Sequence, residues 1–208
     1  MMTETRIAVV SGGLSQPSST RLLADRLAAA TERFLTQRDR RVRFDVVELR
    51  DHAHDLANNL VTGFPSPALR KTLDRVVGAD GLIAVTPIFN ASYSGLFKSF
   101  FDVLEPDSLV GMPVLLGATG GTERHSLALE HALRPMFVYL RTVVAPTAVY
   151  AASEDWGAGG AADALDQRIA RAGEEFTEML AARSAVRPPD PYGEPVPFEQ
   201  LLSGRGLD

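Results

Sequence analysis

The sequence predicts an α/β protein with a five-stranded parallel sheet covered by helices on both faces. Apolar strand patterns alternate with amphipathic helical patterns almost from end to end, and the strands are near-continuous apolar runs. Such runs belong to strands buried on both sides. Three small or polar loops, Gly12 to Ser19, Pro87 to Tyr93 and Thr119 to Arg124, each follow a strand end, which is where ligands sit in open sheets of this kind.

Ile7 to Val10 is a short apolar run stopped by Ser-Gly-Gly, and Thr20 to Phe34 then places Leu22, Leu23, Leu27, Ala30 and Phe34 at helical spacing. Val42 to Leu49 is valine-rich and reads as the second strand. Pro65 to Val77 carries Leu69, Leu73, Val76 and Val77 on one helical face. Gly81 to Thr86 and Met112 to Ala118 are the third and fourth strands, followed by helices at Ser94 to Leu104 and Ser126 to Leu140. Val143 to Tyr150 is the fifth strand and Ala161 to Arg183 the closing helix, whose alanine-rich side permits tight subunit packing. Arg187 to Pro197 holds five prolines in eleven residues, a density incompatible with helix or central strand. The expected organisation is one domain over residues 1–184 and a proline-rich tail over 185–208.

Composition narrows the chemistry. At 208 residues, with 45% hydrophobic and 23% charged residues, the chain matches an ordinary globular domain. A net charge of -5 with scattered Lys and Arg argues against nucleic acid as a partner. The absence of cysteine excludes disulfides, thiolate metal ligands and cysteine nucleophiles, so redox chemistry would need a cofactor. No leader pattern and no apolar run of about 18 residues is evident, so a cytoplasmic, non-membrane protein is expected.

The loop Ser11-Gly-Gly-Leu-Ser-Gln-Pro-Ser-Ser-Thr-Arg21 leads into a helix. A helix N-terminus offers free N–H groups and the positive end of its dipole, which suits a phosphate. Ser15, Ser18, Ser19 and Thr20 add hydroxyls, Gly12 and Gly13 allow close approach or positive φ, and Arg21 is the fixed positive charge nearby. The plainer reading makes Ser18 or Ser19 an N-cap and the glycines turn formers. The loop has neither the Gly-x-Gly-x-x-Gly of dinucleotide binders nor a Gly-Lys-Ser/Thr sequence, which favours a mononucleotide phosphate.

In Thr86-Pro-Ile-Phe-Asn-Ala-Ser-Tyr-Ser-Gly-Leu-Phe-Lys98, Pro87 is expected to end the strand cleanly at Thr86. Phe89 and Tyr93 supply flat apolar surface and Asn90 a neutral donor and acceptor, a combination suited to an isoalloxazine ring. The plainer reading has these aromatics plugging the core.

This segment resembles the Pro-x-Tyr-Asn-x-Ser-x-x-Gly-x-x-Lys signature of the NAD(P)H-dependent FMN reductase family. Ala118-Thr-Gly-Gly-Thr-Glu-Arg-His125 and the following Leu-Ala-Leu-Glu-His-Ala-Leu-Arg-Pro135 are similar to the third flavin loop and helix of the branch serving alkanesulfonate-type monooxygenases. The similarity covers about residues 6 to 150. It implies a flavodoxin-like three-layer sandwich, FMN as the bound flavin, NADPH or NADH as hydride donor, a monooxygenase partner and a homodimer or homotetramer. By position, Ser15, Ser18, Ser19 and Thr20 would hold the phosphate, Pro87, Ile88, Phe89 and Asn90 the ring, and Thr119, Gly120 and Gly121 its pyrimidine side. Two positions depart from the family pattern: Phe89 replaces a tyrosine, and Ser15 stands where many relatives have arginine.

Pro135 has no N–H to offer the carbonyl of His131, so a kink or bulge is expected there. The resemblance makes His131 a candidate for tuning flavin exchange; the alternative is a solvent or interface histidine. His52 and His54 form a His-x-His pair without an evident third ligand, so no metal site is expected. Hydride transfer needs stacked rings more than acid or base, so no catalytic side chain is assigned. Competing readings are an FMN-retaining quinone or azo-compound reductase and a flavodoxin-like electron carrier. Arg21, Arg124 and Arg134 are the candidates to face a nicotinamide 2′-phosphate.

Overall fold

The computed structural model describes residues 4–157 and 160–183. The tail at 185–208 expected from the sequence lies outside the described residues. Strands β1 (Glu4–Ser11), β2 (Arg41–Glu48), β3 (Gly81–Phe89) and β5 (Pro113–Gly120) form a parallel sheet in the order β2-β1-β3-β5. The fifth position is shared by two short strands, β6 (Val143–Val144) and β7 (Val149–Ala152), which pair in turn with the first and last parts of β5. The chain runs from β1 outward to β2 and returns to β3 on the other side of β1. That reversal opens a crevice at the C-terminal ends of β1 and β3.

Two apolar layers hold helices to this sheet. On one face α1 (Ser19–Thr36) and α6 (Gly160–Ala182) cover Ile7, Val9, Ile83, Val85 and Leu115. The approach of these helices depends on small residues: a methyl at Gly173 would lie 2.9 Å from the Ala30 side chain. The small side of the last helix, which would permit packing between subunits, is therefore used inside the chain, because Ala172, Gly173 and Phe176 are buried there. On the other face lie α2 (Ala53–Thr62), α3 (Pro67–Val77), α4 (Gly95–Asp102) and α5 (Arg134–Tyr139). Their core is aromatic, with Phe97, Phe100 and Phe137 fully buried and the ring of Phe101 4.9 Å from those of Phe97 and Phe137, spacings at which aromatic pairs attract.

Three details differ from the sequence expectation, and the bulge expected at His131 is present. Helix α2 was not anticipated; its polar stretch Ala-His-Asp-Leu-Ala-Asn-Asn buries only Leu56 and Asn59, too narrow a stripe to register as a face. The fifth strand is broken at Ala145 to Ala148, where Pro146 interrupts the pairing and Thr147 turns to Glu175 of α6 through N–H and hydroxyl bonds of 2.7 and 2.9 Å. The helix expected at Ser126 to Leu140 opens into a π-turn at Leu129–Leu133 before α5, around the bulge expected at His131. Finally, Pro87 does not end its strand: β3 pairs through Pro87 with Thr119 and then folds back as a hairpin with β4 (Ser92–Tyr93).

The two central residues of that hairpin, Asn90 and Ala91, have φ of 48° and 69°, as a two-residue turn between right-twisted strands requires. Asparagine tolerates this conformation and alanine does so poorly. Replacing Ala91 with Gly should raise stability by about 1 kcal/mol and the melting temperature by about 2–4 °C, measurable by thermal denaturation.

Candidate active site

A cleft of about 330 Å³ opens at the crevice between β1 and β3. It gathers Ser15, Ser18, Ser19 and Thr20 from the first loop, Pro87, Ile88 and Phe89 from the second, and Thr119, Gly120 and Gly121 from the third. Gly13 and Leu14 complete the first loop, and Ser153 enters from the turn after β7. Asn90 is not among the lining residues. The hairpin turn explains this, since Asn90 occupies its left-handed corner and is exposed beyond the end of β3. Ser153 was missed because it sits in no motif. Its one signal was its place at the carboxyl end of a strand.

The first loop is shaped by α1. Ser18 caps the helix, its hydroxyl accepting from the Arg21 N–H at 3.2 Å, and there is no acidic residue in the first turn. The N–H groups of Ser19 and Thr20 have no intrahelical acceptor, so they and the dipole are directed to the cleft. Gly13 does not have a positive φ; a methyl there would overlap the Ser18 hydroxyl. Behind the loop, the buried hydroxyls of Thr20 and Thr119 are 2.8 Å apart in a hydrogen bond that joins the first loop to the third.

Arg21, the fixed positive charge the sequence places near the loop, is paired within the protein. Its guanidinium reaches Asp25 at 2.8 Å and Glu48 at 2.6 Å, and its pKa is raised, chiefly by the hydrogen bond it donates to Asp25. The cation that touches the loop is Arg50, at the end of β2, which donates to the Ser15 carbonyl at 2.8 Å. The Gln16 side-chain carbonyl accepts from the same guanidinium at 2.6 Å. Arg50 was overlooked because it is remote in sequence, although β2 ends beside β1.

The second loop is set by Thr86, buried at the base of the hairpin. Its hydroxyl accepts from the Ser94 N–H at 3.1 Å, and the Ser94 hydroxyl in turn caps α4 by accepting from the Phe97 N–H at 3.2 Å. These bonds leave Ile88 buried and Phe89 47% exposed at the mouth of the cleft. In the third loop the Tyr150 hydroxyl donates to the Thr122 carbonyl at 2.8 Å, and burial raises the phenol pKa above its usual value.

His131 lies elsewhere. With Tyr93, Lys98, Phe101, Pro135, Met136 and Tyr139 it lines an apolar groove of about 490 Å³ beside α4. Arg134 is held by Glu130 at 2.6 and 2.9 Å and by the Ala145 and Pro146 carbonyls; the same pairing lowers the Glu130 pKa, led by the hydrogen bond from Arg134. Of the three arginines considered for a 2′-phosphate, only Arg124 has no ion pair among the described residues. Trp156 is half-buried, with the Arg26 guanidinium 5.7 Å from its ring centroid. His52 contacts the Thr72 hydroxyl at 3.2 Å, and no cluster of three or more metal-ligand side chains occurs among the described residues. No described helix is long and apolar enough to cross a membrane.

The strand order and the cleft at its reversal point define a nucleotide-binding protein of the flavodoxin-like class. A family model described as NADPH-dependent FMN reductase matches residues 5–157, and the chain belongs to that family. It is 36% identical over 187 residues to an FMN reductase (NADPH) of Pseudomonas aeruginosa, covering 89% of this chain and 98% of the relative. It is 35% identical over 190 residues to the NADH-dependent FMN reductase SfnE of Pseudomonas putida, covering 90% and 98%. An oxidoreductase structure from Corynebacterium diphtheriae superposes with a TM-score of 0.83 at 41% identity, over 87% of this chain and 99% of that one.

The Thr20–Thr119 bond is buried on both sides, so removing one hydroxyl strands the other. Thr119→Val should lower stability by about 1–3 kcal/mol, read from the urea midpoint.

Proposed function

We propose that this chain is an NAD(P)H-dependent FMN reductase and that the cleft is its flavin site. The observation that carries this reading is the meeting, in one cleft, of a helix N-terminus with serine hydroxyls and an apolar wall of Leu14, Ile88 and Phe89. The donor set fits a phosphate at Ser15, Ser18, Ser19 and Thr20, the wall fits a flat ring against Pro87 to Phe89, and on this reading Thr119 to Gly121, which line the same cleft, would take its pyrimidine side. When bound, the flavin supplies the hydride-accepting ring.

The protein's part is to bind and orient. None of the residues lining the cleft carries an acid or base that titrates near neutrality, so catalysis rests on holding two rings in contact. The polar backbone of Thr119 to Gly121 can favour negative charge developing beside it. Phe89 at the open mouth and the exposed Ser15 and Ser19 suit a flavin that leaves after reduction. On this reading reduced FMN is passed to a separate flavin-dependent monooxygenase in the cytoplasm, where the nicotinamide pools are. The exposed Val138 and Tyr139, at 60% and 85%, together with the apolar groove, support association into a homodimer or homotetramer, which light scattering would test.

NADH or NADPH oxidation at 340 nm should depend on added FMN, and riboflavin, lacking the phosphate, should bind about 10- to 100-fold more weakly. No oxidation with either nicotinamide would sink the reductase reading in favour of an electron carrier. A yellow protein that keeps its flavin through gel filtration would favour a quinone or azo-compound reductase. The kcat should be flat between about pH 6 and 9, without a bell, because none of the described residues lining the cleft is a general acid or base; a clear titration in kcat would oppose this assignment.

A further inference from the structure

We infer that Tyr150 is a positioning residue of the flavin site, its hydroxyl fixing the third loop so that Gly120 and Gly121 present a set backbone to the ring. This rests on the FMN reading above. Tyr150 lies on β7, opposite Ala118 of β5, and is 8% exposed. Its phenol runs beneath the loop and donates to the Thr122 carbonyl at 2.8 Å. Thr122 then turns its own hydroxyl to the Arg124 N–H at 3.0 Å, starting the short turn Glu123–His125.

The identity of residue 120 argues the same point independently. Gly120 does not have a positive φ, so its backbone conformation does not demand glycine. Space does: a methyl there would coincide with the Tyr150 hydroxyl and stand 3.0 Å from the ring carbon bearing it. At Gly121 a methyl would meet nothing within 4 Å. Glycine at 120 and the hydroxyl at 150 are thus two halves of one fit.

Tyr150 is itself held. The Arg168 guanidinium approaches the Tyr150 carbonyl at 3.4 Å and Asp155 at 3.2 Å, and Asp155 accepts from the Ala152 N–H at 2.8 Å. Burial, with Asp155 adding in the same direction, raises the phenol pKa above its usual value. The hydroxyl therefore remains a donor across the neutral range.

The test compares Tyr150→Phe, Gly120→Ala and the double variant with the wild type, titrating FMN and riboflavin by quenching of flavin fluorescence. Tyr150→Phe keeps the ring and removes one hydrogen bond, so FMN affinity should fall about five- to tenfold. Riboflavin affinity should fall by the same factor, because the loop faces the ring and not the phosphate. Amide hydrogen exchange at residues 120–124 should quicken in the free protein. Gly120→Ala should also weaken binding, and by less in the Tyr150→Phe background, where the hydroxyl it collides with is gone. A Tyr150→Phe protein whose flavin affinities stay within twofold of wild type overturns the inference, as do strictly additive losses. A wild-type protein that binds no flavin removes the underlying reading instead, so the two failures are told apart.

Discussion

The site exists because the sheet reverses direction at β1. The chain leaves β1 toward β2 on one side and β3 on the other, so the connections at their carboxyl ends diverge and leave a gap between them. All the cleft residues but Ser153 come from three loops around that gap. The first loop enters it from β1, the hairpin from β3, and the third loop from β5, the neighbour on the far side of β3.

Within the gap the protein uses neutral groups and short links. The Thr20–Thr119 bond ties loops that are 99 residues apart in sequence, Thr86 ties the hairpin to α4 through Ser94, and Tyr150 ties the third loop to β7. Each link is a hydroxyl bound to backbone or to another hydroxyl, buried or half-buried, where an unmade bond is disfavoured. The loops are therefore ordered by the fold before any ligand arrives, as a site that works by positioning requires.

Much of this was legible in the sequence. The parallel sheet was visible because its strands are apolar on both faces, and the three loops because their composition changes sharply at strand ends. The cleft unites almost all the residues those loops nominated. What the sequence hid was direction and long-range pairing. Asn90 looked like a ring contact, yet the tight turn needs a residue tolerant of positive φ and claims it. Arg21 looked like the fixed charge beside a phosphate, yet Asp25 lies one helical turn away and Glu48 ends the adjacent strand. Arg50 reaches the first loop, and Ser153 the cleft, only through the sheet, and no local pattern marks either one. Helix α2 buries too little to announce itself, and Pro146 splits a strand whose flanking valines read as continuous.

The pairing of Arg21 with Asp25 and Glu48 has a kinetic consequence. With that charge neutralised, and Arg50 likewise paired with Glu48, an anion at the first loop is held by N–H dipoles and hydroxyls, whose fields fade within a turn of the helix. A chain of net charge -5 gives no long-range attraction to a negatively charged nucleotide. Arrival is then a matter of unassisted diffusion, and it responds less to ionic strength than arrival at an arginine-lined site would. Departure, set by the same short-range contacts, is correspondingly free of a lingering electrostatic tether.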